Sequence, residues 1–481
     1  MASLFTALGT AGSSLDVIEQ AIGVIQNNVT NASTPGYVTQ TLQLASRPFD
    51  LSEGSLGGVE ATGVQSARDV YAEQSVWSAN EQAGLSSQES ASLNQLQQIF
   101  DVSGQSGIPG ALSTLYSAFS AWSTSPSDAT AQQSVITAAQ GLSSAFSQTF
   151  SQAQQISSDT DQQLSSSVSQ LNQYTAQIAT LNGEIRTTPG NDAGLQAQLY
   201  NTIEEVSNLA PITVNMQSDG TATVLLGGQS PLVQGTTQNN VTLNYAQSAT
   251  ATNPNAPPSA QLLNFNGQDI TSLVNQGTIG GALNFVNTTM PAIIGNGQQQ
   301  GSLNQLAQGV ADRINTLLSG GQVSAGPPPV SGVPLFTYDA TTPTGIAGSL
   351  SVAANITGSQ LAATSPGPPS VANGVANELA NMANPTNAAD MLSGFSYTDY
   401  YGNIATDVGQ QASTASNNDT TNTNVLNQAQ SLRATVSGVS LNDQATQLLQ
   451  FQESYQASAQ MISTINTLTQ SLLTVMQDAS S

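Results

Sequence analysis

The residue types that most often perform catalysis are missing from this chain. Its 481 residues include no Lys, His or Cys, so the common nucleophile–base pairs cannot form. Carboxylate pairs remain, and two carboxyl groups are all that a glycosidase needs. The candidate pairs are Asp159 with Asp161, Glu204 with Glu205, and Asp399 with Asp407. All lie in polar segments with a helical pattern, where carboxylates usually face solvent, and we therefore predict no catalytic residue and no enzymatic activity.

The same composition argues against bound metals and charged partners. Without Cys and His the usual zinc sites are absent, and no calcium-loop spacing occurs, so we predict no metal and no cofactor. Charged residues make up 7% of the chain and the formal net charge is −24. The five cations, all isolated from one another, are Arg47, Arg68, Arg186, Arg313 and Arg433. Nucleic-acid binding needs clustered cations, so we expect no nucleic acid as partner.

We also expect no membrane insertion. No apolar run approaches the roughly 20 residues that span a bilayer. A chain with five scattered cations and a net charge of −24 does not suit an anionic membrane surface. The first residues lack the basic region of a cleaved signal peptide. The chain is therefore expected either to stay in the cytosol or to leave by a route that needs no cleaved signal.

Two apolar stripes mark the elements that must position any binding surface. The first has steps of three and four and comprises Leu8, Ala11, Leu15, Ile18, Ile22, Ile25 and Val29. The second comprises Leu448, Phe451, Tyr455, Ile462, Ile465, Leu472 and Met476, with Ser458 and Thr469 as polar interruptions. Each helix alone would leave its apolar face in water, so we expect the first to pair with the last as a coiled coil. Two amphipathic helices packed on a globular core fit the spacing equally well.

A turn rich in asparagine ends the first stripe. Pro35 disfavours helix in the residue before it, and Gly36 can adopt positive φ, so the chain must change direction here. Asn27, Asn28 and Asn31 bring amide groups to the point where backbone groups lose their helical partners. Together with Tyr37, which follows directly, these residues form the sequence NNVTNASTPGY.

That sequence resembles the motif after the first helix in the rod, hook and hook-associated axial proteins of the bacterial flagellum. The segments 437–444 (SGVSLNDQ) and 448–460 (LLQFQESYQASAQ) resemble the closing part of the same family. Interior stretches at 123–128, 227–235 and 280–285 resemble blocks of the hook-associated members, in the same order. The chain departs from the family by its lack of Lys and its few Arg residues.

The resemblance implies a structural subunit that joins hook to filament. It implies self-assembly into a ring or helical layer, export through the flagellar type III apparatus and an extracellular location. The implied partners are the hook protein, the second junction protein on the filament side and an export chaperone at the C-terminal helix. The predicted subunit-interface residues are Leu8, Leu15, Ile18, Ile22, Ile25, Val29, Asn27, Asn28, Asn31, Pro35, Gly36, Tyr37, Leu448, Phe451, Tyr455, Ile462, Ile465 and Leu472.

The expected fold is mainly α with a β insertion: paired terminal coiled-coil helices, a helical-bundle middle domain and an inserted β-rich domain. Helical patterns cover 70–100, 129–150, 152–186 and 193–209, and residues 212–226 alternate around an Asp-Gly turn. We place the coiled-coil domain at 1–48 plus 436–481. The mainly helical domain is 49–210 plus 300–435, and the β-rich domain is 211–299.

Two other classes of function remain open. A hook, rod or second junction protein of the same family would share both ends, although the long helical region at 70–209 argues against hook and rod members. A coiled-coil surface-layer or adhesin protein is the second alternative, and it leaves the asparagine-rich turn unexplained.

Overall fold

The computed structural model of the protein describes residues 2–50, 55–100, 104–188, 192–247, 257–324, 326 and 328–478. Within them the α-helices are α1 Ala2–Thr30, α2 Val70–Gln97, α3 Gly107–Thr124, α4 Ala129–Thr187, α5 Ala193–Leu209, α6 Gly277–Asn284, α7 Met290–Ile294, α8 Ser302–Gly320, α9 Ile346–Ser349, α10 Gly374–Asn381, α11 Tyr397–Ser437 and α12 Leu441–Asp478. The strands are β1 Gln40–Ser46, β2 Phe49–Asp50, β3 Ser55–Leu56, β4 Val59–Ser66, β5 Ile212–Met216, β6 Ala222–Leu226, β7 Ser230–Gln234, β8 Thr237–Gln238, β9 Thr242–Ala246, β10 Ser259–Leu263, β11 Gln322–Ser324, β12 Val330–Ser331, β13 Phe336–Thr337 and β14 Ser351–Val352. Long helices dominate and the sheets are small, so the predicted mainly α fold with β insertions is confirmed.

The chain divides into two compact units. Unit 1 comprises residues 1–80, 171–240 and 423–481, and unit 2 comprises residues 81–170 and 241–422. The helices α2, α4 and α11 contribute residues to both units. The three-domain division proposed from the sequence stays a prediction.

In unit 1, α1 packs along α12, and the hairpin of β1 and β4 packs against α1. Asn28 near the end of α1 contacts Gln444 near the start of α12, so the two helices run antiparallel. The hairpin pairs Gln40 with Ser66 and contains a bulge after Gln43. This hairpin was not predicted, because its strands are mostly polar and show little alternation.

Unit 1 also contains the four-stranded antiparallel sheet β5-β6-β7-β8. The predicted alternation is confirmed, since Ile212 pairs with Leu226 across the hairpin of β5 and β6, and Gly220 in its turn has φ +82°. Asn182 of α4 is fully buried. Its amide donates to Ala222 O over 2.8 Å and accepts from Ala222 N over 2.8 Å, which fixes the sheet on that helix.

Unit 2 has one continuous apolar core. Residues of α3, α4, α8 and α11 supply most of it, and its largest fully buried side chains include Trp122, Tyr401, Phe119 and Phe146. Along α3 the buried residues follow helical spacing, which explains why this segment is a helix on the core surface. They include Ile108, Leu112, Leu115, Phe119 and Trp122.

Some element predictions were wrong in detail. The helices expected at 129–150 and 152–186 form the single helix α4, because no Pro or Gly between residues 143 and 182 interrupts it. The end of the segment expected to be β-rich is helical, from α6 through a π-helical turn at Phe285–Thr289 to α7. Among the described residues, no helix is both long and apolar enough to cross a membrane.

Candidate functional site

The candidate site begins with the packing of α1. Of the predicted residues on α1, Ile18 and Ile25 are buried, Leu8, Leu15 and Ile22 are half-buried, and Val29 is exposed. The adjacent Val17 and Ala21 are also buried. The buried face of α1 is therefore wider than a two-helix seam, because the β1–β4 hairpin covers its flank.

The matching face of α12 keeps the predicted spacing but is less covered. Leu448, Phe451, Ile462 and Ile465 are half-buried, and Tyr455 and Leu472 are exposed. The predicted polar interruptions Ser458 and Thr469 are half-buried as well. Within the described part of α12 only Gln444 is fully buried. A single partner helix therefore leaves much of the apolar surface of α12 open.

Asn28 is the polar centre of the site, with 1% of its surface exposed. Its amide nitrogen donates to Gln40 O over 2.8 Å and to Gln444 Oε1 over 2.9 Å. Its oxygen accepts from Gln40 N over 2.9 Å and from the Tyr37 hydroxyl over 3.0 Å. One side chain thus joins the end of α1 to the first strand and to the last helix.

The turn after α1 is shaped by Gly36. Its φ is +73°, and a Cβ placed on it would lie 2.5 Å from the carbonyl oxygen of Ala197 in α5. The Asn27 carboxamide oxygen accepts from the Tyr37 hydroxyl over 2.8 Å and from the Asn31 amide over 3.1 Å. Pro35 is exposed. The turn is therefore held by side chains within it and needs glycine where it passes α5.

A buried ion network joins this turn to three helices of unit 1. Glu73 of α2 is fully buried and bonds both to Arg68 and, over 3.1 Å, to Arg433 of α11. Arg433 also bonds to Glu204 of α5 over 2.6 Å. Arg68 donates to Gly36 O over 2.6 Å. Two arginines thus neutralise two carboxylates.

An aromatic pair completes this environment. The Arg68 guanidinium lies 3.8 Å from the centre of the Tyr200 ring, a cation–π contact, and Tyr200 stacks on Trp77 at 5.9 Å. Burial lowers the pKa of Arg68, and the charge of Glu73 acts in the opposite direction. Because arginine starts from so high a value, it keeps its charge. The network is therefore a permanent set of charge-assisted bonds.

The six carboxylates considered for catalysis lie in ordinary structural or surface settings. Glu204 belongs to the ion network, and Asp161 accepts a 3.3 Å hydrogen bond from Tyr245. Asp399 accepts from Ser396 at the start of α11 over 2.7 Å. Asp159, Glu205 and Asp407 are exposed.

Sequence reasoning missed the ion network. Arg68 and Arg433 are two of only five cations in the chain. Arg68 lies just before the predicted helix at 70–100, and Arg433 lies just before the predicted coiled-coil segment at 436–481. In a chain so poor in charge, those two positions were the available signal. Glu73 binds both arginines, and it is separated from Arg433 by 360 residues. No local sequence pattern therefore connects Glu73 with Arg433.

Comparison with known proteins identifies the family. The model of the flagellar hook-associated protein FlgK helical domain matches residues 93–336, just over half of the chain. The model of the C-terminal part of flagellar basal body rod FlgEFG proteins matches residues 422–475. The second match covers the end of α11 and nearly all of α12, including the predicted second stripe from Leu448 to Leu472.

Similar proteins agree with these matches. Flagellar hook-associated protein 1 of Bacillus subtilis is 24% identical over 499 residues, covering 96% of this chain and 96% of that protein. The Salmonella typhimurium protein of the same name is 24% identical over 323 residues, which cover 63% of this chain and 55% of that protein. The fold resembles the flagellar hook junction protein FlgK from Burkholderia pseudomallei, with a TM-score of 0.63 and 17% identity over 76% of this chain and all of the other. The chain therefore belongs to the family of the flagellar hook-associated protein FlgK.

Proposed function

We propose that this chain is a structural, non-catalytic subunit of the junction between the flagellar hook and filament. It assembles with copies of itself into a ring or helical layer through the paired helices α1 and α12. The observation that carries the proposal is the match of the hook-associated family model to half of the chain. The apolar face that α12 leaves open after pairing with α1 supports assembly between copies.

The predicted interface residues divide into two roles in this proposal. Buried residues such as Ile18, Ile25 and Asn28 hold α1 and α12 together within one copy. Exposed residues such as Val29, Tyr455 and Leu472 remain available to a neighbour. Apolar side chains left in water on one helix favour association, because covering them removes apolar area from water.

The partners follow from position at the junction. We assign the hook protein to one side and the second junction protein to the other, with the subunit secreted by the type III route. An export chaperone that covers the open face of α12 keeps it soluble before assembly. The terminal segments 1–48 and 436–481 form the assembly domain, and the β-rich segment 211–299 lies outside it.

Replacement of Ile25 by Asp tests the proposal. Ile25 is 3% exposed, and an unpaired buried charge costs about 3–5 kcal/mol. Cells that make only the Ile25→Asp protein should shed their filaments and lose motility. In a Trp77→Phe background, Trp122 fluorescence of the purified protein should show that unit 2 stays folded. Ile22→Asp, at a half-buried position, should act in the same direction more weakly.

The matched control is Val371→Asp, which places the same charge at a half-exposed valine of unit 2. Those cells should keep filaments and swim normally. Electron microscopy of filament attachment and a soft-agar motility assay measure both outcomes. If Ile25→Asp cells stay fully motile with attached filaments, assembly through the terminal helices is wrong.

A further inference from the structure

Exposed apolar side chains gather where helices of unit 1 begin and end. We call this set the junction patch, and it consists of Val70, Tyr71, Leu432, Val436 and Leu441. Their exposed fractions are 46%, 81%, 54%, 50% and 55%. Among the large apolar side chains of the described residues, Tyr71 has the highest exposed fraction.

Two contacts hold the start of α2 against the end of α11, and the short connection after α11 brings the start of α12 close to both. The backbone N–H of Asp69, just before α2, donates to the hydroxyl of Ser437 at the end of α11 over 3.1 Å. One turn away, Arg433 bonds to Glu73 over 3.1 Å. Val70 of α2 therefore lies level with Val436 of α11. Leu432 lies one helical turn before Val436 on α11. Leu441 begins α12 four residues after α11 ends.

A second exposed apolar surface lies on α12. We call it the outer face, and it consists of Met461, Leu468, Leu472 and Val475. Met461, Leu468 and Val475 recur every seven residues, so they share one side of the helix. Their exposed fractions are 59%, 54% and 64%. None of residues 454–477 is charged.

Size indicates that the junction patch is a contact surface. A large side chain that is half exposed presents on the order of 80 Å², so the five together present roughly 400 Å², within the range of the largest apolar patch on a typical monomer. That is about half of the ~800 Å² that each partner buries in a standard interface. The patch thus has the size of an interface centre that needs a polar rim, which the surrounding Gln, Ser and Thr side chains supply.

Charge indicates which partner covers it. Copies of a chain with a net charge of −24 repel one another, so contact between copies is favoured where carboxylates are absent. The outer face of α12 meets this condition, since none of residues 454–477 is charged. At the junction patch Arg433 pairs with Glu73, and Asp69 and Asp443 flank the patch in sequence. The uncharged outer face of a second copy therefore covers the patch without bringing further carboxylates to it.

One copy cannot cover its own patch. Leu441 and Leu468 belong to the same continuous helix, and 27 residues of helix separate them by about 40 Å at 1.5 Å per residue. Two different surfaces that complement each other on one chain produce a head-to-tail contact, which repeats from copy to copy as a ring or a helix.

We propose that the junction patch of one copy receives the outer face of α12 from a second copy. This inference rests on the proposed function, since it names the contact through which the subunits associate. It differs from the α1–α12 seam, because every residue of both surfaces is exposed in the single chain.

Cross-linking of single-cysteine proteins tests the contact, and the chain has no cysteine of its own. Purified Leu432→Cys is mixed with purified Leu468→Cys and treated with a short bismaleimide. In a docked pair the two thiols have an effective concentration near mM, whereas the proteins in solution are at about μM. The yield of the 432–468 cross-linked heterodimer should therefore exceed the yield of the control heterodimer at least roughly tenfold. The control replaces Leu432→Cys by Val371→Cys.

Mass spectrometry of the linked peptides decides between the outcomes. Equal yields for Leu432→Cys and Val371→Cys overturn the inference, and so does a 432–432 homodimer as the main product. In cells, Leu432→Gln should detach filaments, whereas Val371→Gln should not. Attached filaments in Leu432→Gln cells alongside lost filaments in Ile25→Asp cells would leave the proposed function intact and refute the patch alone.

Discussion

The side-chain amide of Asn28 donates a hydrogen bond to Oε1 of Gln444 over 2.9 Å, across 416 residues of sequence. Both side chains are almost completely buried. The same amide group also satisfies the backbone N–H and C=O of Gln40. One carboxamide therefore joins the end of the first helix to the first strand and to the beginning of the last helix.

Asn28→Leu should destabilise unit 1 by about 2–4 kcal/mol, because it strands the buried N–H and C=O of Gln40 without partners. The chain has two tryptophans, Trp77 in unit 1 and Trp122 in unit 2. In a Trp122→Phe background, urea unfolding followed by Trp77 fluorescence measures this change. Asn27→Ala, at an exposed position, is the control and should cost less than about 1 kcal/mol.

Gly36→Ala should cost about 3 kcal/mol, since the new Cβ meets the Ala197 carbonyl oxygen at 2.5 Å in addition to the strain of positive φ. The matched control is Gly104→Ala. Gly104 has φ +70° with no atom within 4 Å of the added Cβ, so its substitution measures the backbone strain alone, about 1 kcal/mol. Equal losses of stability in the two variants would show that the approach to α5 is unimportant.

Arg433→Met should destabilise unit 1 by about 3–5 kcal/mol, because it leaves the carboxylates of Glu73 and Glu204 short of positive charge. Arg47→Met removes an exposed pair with Glu60, in which both side chains are nearly half exposed, and should cost less than about 1 kcal/mol. The same Trp77 unfolding assay compares them. A loss for Arg433→Met as small as that for Arg47→Met would contradict a structural role for the network.

Asp161→Asn should stabilise unit 2 at neutral pH. Burial raises the pKa of Asp161, and the hydrogen bond from Tyr245 offsets only part of this effect. A carboxyl group with a raised pKa in the folded state contributes stability below its unfolded pKa and loses it as pH rises through the folded value. The gain should stay below about 1 kcal/mol, because the site is partly solvated.

The pH dependence separates this effect from a change in packing. The advantage of Asp161→Asn should vanish as the pH falls below the ordinary carboxyl range, where the aspartate is protonated in both states. Trp122 fluorescence in a Trp77→Phe background follows unit 2 through the titration. An advantage that persists unchanged at acidic pH would show that charge is not its cause.

Much of the terminal architecture could be predicted from local pattern. The stripes that contain Ile18, Ile25, Phe451 and Ile462 repeat every three or four residues, and a helix presents such residues on one side wherever it packs. The turn at Gly36 could also be predicted from the sequence. Proline keeps the residue before it out of the helical conformation, and glycine allows positive φ at its own position. The roles of these residues between subunits remain predictions.

The sequence by itself determined the helical ends, the asparagine-rich turn, the β hairpin around Gly220 and the lack of the usual catalytic and zinc-binding side chains. Each depends on residue type and on spacing over a few positions. Only the tertiary structure decided that Glu73 bridges Arg68 and Arg433, and that Gly36 lies against Ala197. It also decided which apolar residues of α11 and α12 stay in water, because burial depends on which surfaces meet after folding, and helical periodicity is the same for a covered face and an open one.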